Sequence, residues 1–108
     1  MSVRIDLPSG RIGPGKIALL ETIAREGSIS AAGRALGMSY RRAWELVDEV
    51  NRVLGTQAVS AATGGRGGGG AHLTEAGLEL VRDYRAIETA AHRAAGRLLA
   101  TLARRAGG

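Results

Sequence analysis

The chain has no cysteine and no phenylalanine, only two prolines, and three aromatic side chains in all: Tyr40, Trp44 and Tyr84. Without cysteine, neither a disulfide framework nor a thiolate metal site can form, which agrees with a reducing compartment. With so few aromatics, any core must be built from Leu, Ile, Val and Ala, a composition suited to closely packed helices. No apolar run approaches the ~20 residues needed to span a bilayer, and the opening MSVRIDLPSG lacks the hydrophobic centre of a signal peptide. A soluble, cytoplasmic protein with no membrane partner is expected. His72 and His92 stand alone in the sequence, so no metal site and no cofactor are expected in this chain. Lysine is also scarce, since Lys16 is the one lysine among 15 basic residues.

Arginine and glycine are plentiful. Fifteen basic against 10 acidic residues give a net charge of +5 and a pI near 11.0. A domain with a pI above about 9 has the electrostatic footprint of a nucleic-acid binder, although arginine preference also follows from a GC-rich genome. A length of 108 residues, 44% of them hydrophobic, fits one domain with its own core. No internal repeat or interdomain linker is visible, so residues 1–108 are read as a single unit.

Val3, Ile5 and Leu7 alternate with Arg4 and Asp6, which predicts a short half-buried strand over residues 3–7. It needs a partner, from the same domain or from another subunit. Pro14 suits the first position of a helix, and Ile17, Leu20, Ile23 and Ala24 share one face before Gly27 closes it. Ser28 or Ser30 caps a second, small-residue helix ending at Gly37. Ser39 caps a third, whose Ala43, Leu46, Val47, Val50, Val53 and Leu54 form an apolar face. Arg41, Glu45, Asp48 and Arg52 lie opposite, with Trp44 at the edge. Residues 14–55 thus read as a three-helix core containing a helix-turn-helix. Residues 57–73 read as a hairpin with a glycine-rich tip. Thr74 caps a final helix, expected over 74–102, in which Tyr84, Ile87, Ala91, Ala94 and Leu98 recur in the three-four rhythm of a helix-pairing seam. The expected fold is mainly α with a small β-hairpin: a winged helix-turn-helix with a leading strand and a long C-terminal helix.

The residues opening a recognition helix are those that reach base edges in the major groove. Ser39, Tyr40, Arg41 and Arg42 hold that position here. Arg41 lies at the centre of the outward stripe and suits the O6 and N7 atoms of guanine, while Arg42, on its flank, suits a phosphate. The competing reading is a solvated face with Arg41–Glu45 and Asp48–Arg52 pairs, worth only ~0.2–0.5 kcal/mol each. Glu45 either positions Arg41 or accepts from cytosine N4. Paired carboxylates also serve acid–base chemistry, but no cleft surrounds Glu45 and Asp48, and no catalytic residue is expected. Tyr40 and Trp44 read first as packing residues, with a DNA contact as the functional option. Ser28 and Ser30 either cap their helix or donate to phosphate.

Gly65, Gly67 and Gly70 formally satisfy G-x-G-x-x-G, yet a dinucleotide fingerprint requires a helix to open directly at the motif within a βαβ unit. Here a second short strand follows. The glycines Gly64, Gly65, Gly67 and Gly68 let the backbone lie close to DNA, with Thr63 and Arg66 beside them; the alternative is a flexible linker.

With GSIS at 27–30, SYRRAW at 39–44, DEVN at 48–51 and ATGGRGGGGAHLT at 62–74, the chain resembles the N-terminal domain of the ModE family of molybdate-responsive transcription regulators. The resemblance runs from about Ile12 into the final helix. It implies a dimeric winged helix that contacts double-stranded DNA through the third helix, chiefly Ser39, Tyr40 and Arg41, and through the wing around Thr63 to Gly70. It also implies a link to molybdenum homeostasis. Family members carry a C-terminal molybdate-binding region. Residues 1–108 do not hold one, so molybdate sensing is not expected of this chain, and a separate effector-sensing protein is a candidate partner. The combined expectation is a homodimeric, non-enzymatic regulator on a palindromic operator. The alternative is a protein–protein adaptor that keeps the fold without DNA binding, for which Glu45 and Asp48 speak.

Overall fold

The leading strand finds its partner within its own chain. In the computed structural model, which describes residues 1–62 and 70–107, Ile5–Leu7 (β1) turns through Pro8 and Ser9 into Gly10–Ile12 (β2). The pairing is antiparallel, with Ile5 opposite Ile12 and Leu7 opposite Gly10. The expected strand over 3–7 is therefore shorter and is one arm of a hairpin. A three-residue second arm is too short for alternation to reveal. Arg11 Nε donates to Asp6 Oδ1 at 2.7 Å across the pair, and Ile12, fully buried, drives the hairpin into the core.

Helix α1 covers Pro14–Glu26 and ends at Gly27 with φ 79°. That is the left-handed conformation open to glycine. Helix α2 covers Ile29–Ala35, and α3 covers Tyr40–Leu54, which stops at Gly55 with φ 70°. Leu19 and Thr22 are buried on α1 and Ala24 is exposed, the reverse of a single-stripe expectation. The cause is that α1 is central, meeting α2, α3, the second hairpin and the last helix. Thr22 is tolerated inside because its Oγ1 donates to Ala18 O at 2.7 Å.

The second hairpin pairs Val59–Ala61 (β3) with Ala71–Leu73 (β4), Val59 opposite Leu73. Its base is tied down at several points. Ala71 N donates to Gly27 O at 2.8 Å and Thr74 N to Ala58 O at 2.9 Å. Asn51, near the end of α3, accepts from Ala58 N through Oδ1 at 2.7 Å.

Helix α4 covers Glu75–Ala106, a run of 32 residues. At the ordinary helical rise it is about 48 Å long. Thr74 caps it by accepting from Gly77 N at 3.2 Å and also donates to Gln57 O at 2.6 Å. It outruns the expected end at 102 because Gly96 costs only ~1 kcal/mol amid strong helix formers. Gly77 sets how closely α4 approaches the wing, since a Cβ there would collide with Ala58 O. Gly77→Ala is therefore expected to destabilise the protein by about 1–3 kcal/mol through overpacking, although helix propensity alone favours alanine by ~1 kcal/mol. Urea denaturation checks the sign, and a variant as stable as the parent would mean that α4 and the wing do not meet so closely.

The start of α4 is fastened to the body by polar contacts. Arg85 grips Glu21 of α1 with two hydrogen bonds, 3.0 Å and 2.6 Å, and holds Glu88 at 2.8 Å. The Arg85 guanidinium holds the Glu21 carboxyl below its ordinary range, against the opposing effect of burial. Its own proton is held more tightly in turn. Farther along, His92 Nε2 lies 2.9 Å from Met1 O. Among the described residues no helix is long and apolar enough to cross a membrane.

Candidate nucleic-acid interface

The first turn of α3 is built to face outward. Ser39 has extended backbone and its Oγ accepts from Arg42 N at 3.0 Å, so the helix begins at Tyr40. From there Ala43, Leu46, Val47 and Val50 are buried against α1 and α2. A helix with this face inside must carry Arg41 outside, and the Arg41 side chain is 90% exposed. Arg42, one residue round, is 53% exposed.

Glu45 bridges both arginines, with Oε1 3.3 Å from Arg41 Nε and Oε2 3.4 Å from Arg42 Nη1. Its carboxylate is occupied in this arrangement, which favours a positioning role over acceptance from cytosine. The other pair expected from spacing, Asp48–Arg52, is not formed. Tyr40 is exposed and Trp44 half-buried, packed on the core, and the rings meet edge to face at 6.3 Å. Trp44 thus props Tyr40 at the rim of the reading turn; Tyr40 is not the packing residue first expected.

At the neighbouring helix start, Ser28 is the cap, with Oγ accepting from Ala31 N at 3.0 Å. Ser30 is not a cap; its Oγ accepts from Arg34 Nη1 at 2.8 Å. In both, the oxygen serves as acceptor and the hydroxyl hydrogen stays available for an outside acceptor. The expected wing contacts Thr63, Gly64, Gly65, Arg66, Gly67 and Gly68 lie outside the described residues. The base that carries them is placed, since Ala62 N donates to Gly70 O at 2.9 Å where the strands part.

Of the expected seam on α4, Ile87, Ala91, Ala94 and Leu98 lie beyond the packed start of the helix, with Ile87 and Leu98 exposed. Tyr84 does not belong with them. It is fully buried within its own chain, and its hydroxyl donates to Val3 O at 2.6 Å. Burial, with Glu88 nearby, raises the phenol above its ordinary pKa, so it remains a donor.

The family model for the bacterial regulatory helix-turn-helix protein, lysR family, matches residues 15–78, from the start of α1 into α4. The chain belongs to this family. The chain is 48% identical over 86 residues to the molybdenum-pterin-binding protein MopB of Rhodobacter capsulatus, covering 80% of this chain and 32% of that protein. To the DNA-binding transcriptional dual regulator ModE of Escherichia coli (strain K12) it is 45% identical over 71 residues, 66% of this chain and 27% of the regulator. The chain thus spans about a third of the length of these relatives. Among solved structures, the CbnR_DBD–DNA complex matches with a TM-score of 0.61 and 23% identity, over 81% of this chain and 94% of that one. This likeness shows the fold, a mostly helical winged helix with a small antiparallel hairpin, as expected from the sequence.

Sequence reasoning passed over Asn51 as a structural residue, although it stands in the DEVN string that supported the resemblance. Its position one turn before a helix-ending glycine was the available signal. Glu21 and Arg85 were passed over as well, because 64 residues separate them.

Proposed function

We propose that this chain is the DNA-reading part of a transcription regulator linked to molybdenum. In this reading it acts in the cytoplasm, as a homodimer on a palindromic operator, and is not an enzyme. The observation that carries the reading is the first turn of α3: Ser39 caps it, its inner face is buried, and Arg41 stands 90% exposed at its outer face. An arginine so placed reaches guanine O6 and N7 when the helix enters the major groove. Arg42 on the flank, Ser28 and Ser30 at the adjoining helix start, and the wing from Thr63 to Gly68 with Arg66 would hold phosphates. The relative named for molybdenum-pterin binding supports the pathway. No cofactor is assigned to these residues, so the molybdenum signal would come from outside them, for example from a separate effector-sensing protein.

The homodimer rests on the far part of α4. Ile87 and Leu98 are exposed and recur with Ala91 and Ala94 in the three-four rhythm that pairs helices. Two-fold symmetry then places half-sites about 10–10.5 bp apart, or a multiple. The test combines two measurements on one sample. Gel retardation with the DNA upstream of its own gene is expected to be specific and to fade as salt rises, and sedimentation at tens of micromolar is expected to show a dimer. Absence of retardation at low salt would overturn the DNA reading and favour the adaptor. A monomer would overturn the α4 seam.

A further inference from the structure

The leading hairpin, the start of α1 and the first turn of α3 enclose a concavity of about 300 Å3, lined among others by Arg4, Arg11, Lys16 and Arg42. These four basic residues come from four separate stretches of the chain, and no carboxylate is among the described lining residues. The carboxylates stand behind the cations. Asp6 holds Arg11 at 2.7 Å, Glu49 lies 3.5 Å from Lys16, and Glu45 lies 3.4 Å from Arg42. Lys16 Nζ also donates to Arg11 O at 2.6 Å, tying α1 to β2. Arg4 has no ion-pair partner among the described residues, and its stem passes close over Gly13, where an added Cβ would lie 3.3 Å from Arg4 Cγ. Gly13, Pro14 and Gly15, short of side chains, leave room for a bulky anion, and Met38 and Leu46 complete the wall.

Partial neutralisation by outlying carboxylates fixes the cations in place without filling the concavity. A guanidinium with free N–H groups favours a tetrahedral oxyanion that it can meet through two hydrogen bonds. Arg42 is the link to the reading turn, since its neighbour Arg41 points to the groove side of the same turn. An anion seated beside Arg42 therefore lies next to the DNA that α3 enters.

We infer that this concavity takes one phosphodiester of the duplex backbone, making the N-terminal hairpin, through Arg4 and Arg11, part of the DNA interface. The inference rests on the DNA-binding reading and extends the interface beyond α3, α2 and the wing. Its role is positional: a backbone clamp beside the recognition helix fixes how the helix lies in the groove and carries no base preference.

The test is fluorescence anisotropy of the full chain and its Arg4→Gln and Arg11→Gln variants on two duplexes, the upstream region and an unrelated sequence, across a salt series. Arg4→Gln is expected to weaken both duplexes by a similar factor, roughly tenfold at low salt, and to reduce the log–log salt slope by about 1.8, that is about 0.9 for the one phosphate lost by each protomer of the dimer. Unfolding midpoints should stay the same for Arg4→Gln, whose side chain makes no ion pair among the described residues. Unchanged affinity and slope would overturn the clamp while the parent's binding leaves the DNA reading standing. A loss confined to the upstream duplex would overturn it too, by showing base readout. If the parent binds neither duplex, both readings fall. Inorganic phosphate and molybdate, titrated against the amide signals of Gly15 and Lys16, separate a backbone clamp from a pocket for a free oxyanion. Millimolar binding fits the clamp, and saturation at micromolar concentrations overturns it.

Discussion

Replacing Tyr84 with alanine is expected to cost about 3–5 kcal/mol of folding stability, the range for truncating a large buried aromatic. Tyr84 is fully buried and the largest such side chain among the described residues. It joins α4 to the N-terminal segment, a link that the exposed His92–Met1 contact repeats farther along the helix. Its ring stands at the start of α4, and its hydroxyl reaches Val3 O, 81 residues away, at 2.6 Å. Arg85 covers the ring from outside, its guanidinium 5.6 Å from the ring centre. Alanine would leave a cavity between α4 and the N-terminal segment and release both. Phenylalanine keeps the ring and removes only the hydrogen bond, so Tyr84→Phe is expected to cost about 0.5–1.5 kcal/mol. Since small domains are stable by only about 5–15 kcal/mol in all, the alanine variant should lose a large share of that margin. Urea denaturation followed by circular dichroism measures both. The loss for a core residue should persist when dimer is dissociated by dilution, whereas a seam residue would lose its effect there. A Tyr84→Ala variant nearly as stable as the parent would contradict the packing described.

Replacing Arg41 with alanine is expected to leave the fold intact and to remove base discrimination. The side chain is 90% exposed and its contact with Glu45 is a surface pair at 3.3 Å, a class worth only ~0.2–0.5 kcal/mol on a helix. Stability therefore cannot explain a loss of binding. A two-bond arginine–guanine contact is worth about 1–3 kcal/mol of discrimination, or about 5- to 150-fold at about 1.4 kcal/mol per tenfold. Two symmetric half-sites would each lose it. Glu45 would then keep Arg42 alone, on the phosphate side of the turn. Non-specific affinity should fall much less, because phosphate contacts supply that part.

The helical core was legible because several signals agreed at each boundary. Ser39, Gly55 and the six apolar positions from Ala43 to Leu54 all describe the same helix, and Pro14 with Gly27 bounds α1 in the same way. What escaped depended on contacts between distant segments. Tyr84 fits the three-four spacing of Ile87, Ala91, Ala94 and Leu98, and nothing local shows that Val3 comes across to cover it. The hairpin arm Gly10–Ile12 has only three residues, fewer than alternation needs. Gly77 reads locally as an ordinary helix glycine, and only the fold sets Ala58 O against it. In the site, the outward stripe and its reader followed from the helix wheel, but the cations Arg4, Arg11 and Lys16 are scattered along the N-terminal stretch. Only the folded hairpin and α1 bring them beside Arg42.

That the first turn of α3 reads base edges is tested most directly by a competition titration. Duplexes varied one base pair at a time across a half-site would be measured with the parent and with Arg41→Ala at fixed salt. The expected result is a guanine preference at one position of each half-site for the parent, flattened at that position in the variant and unchanged elsewhere. An identical base profile for parent and variant would contradict it.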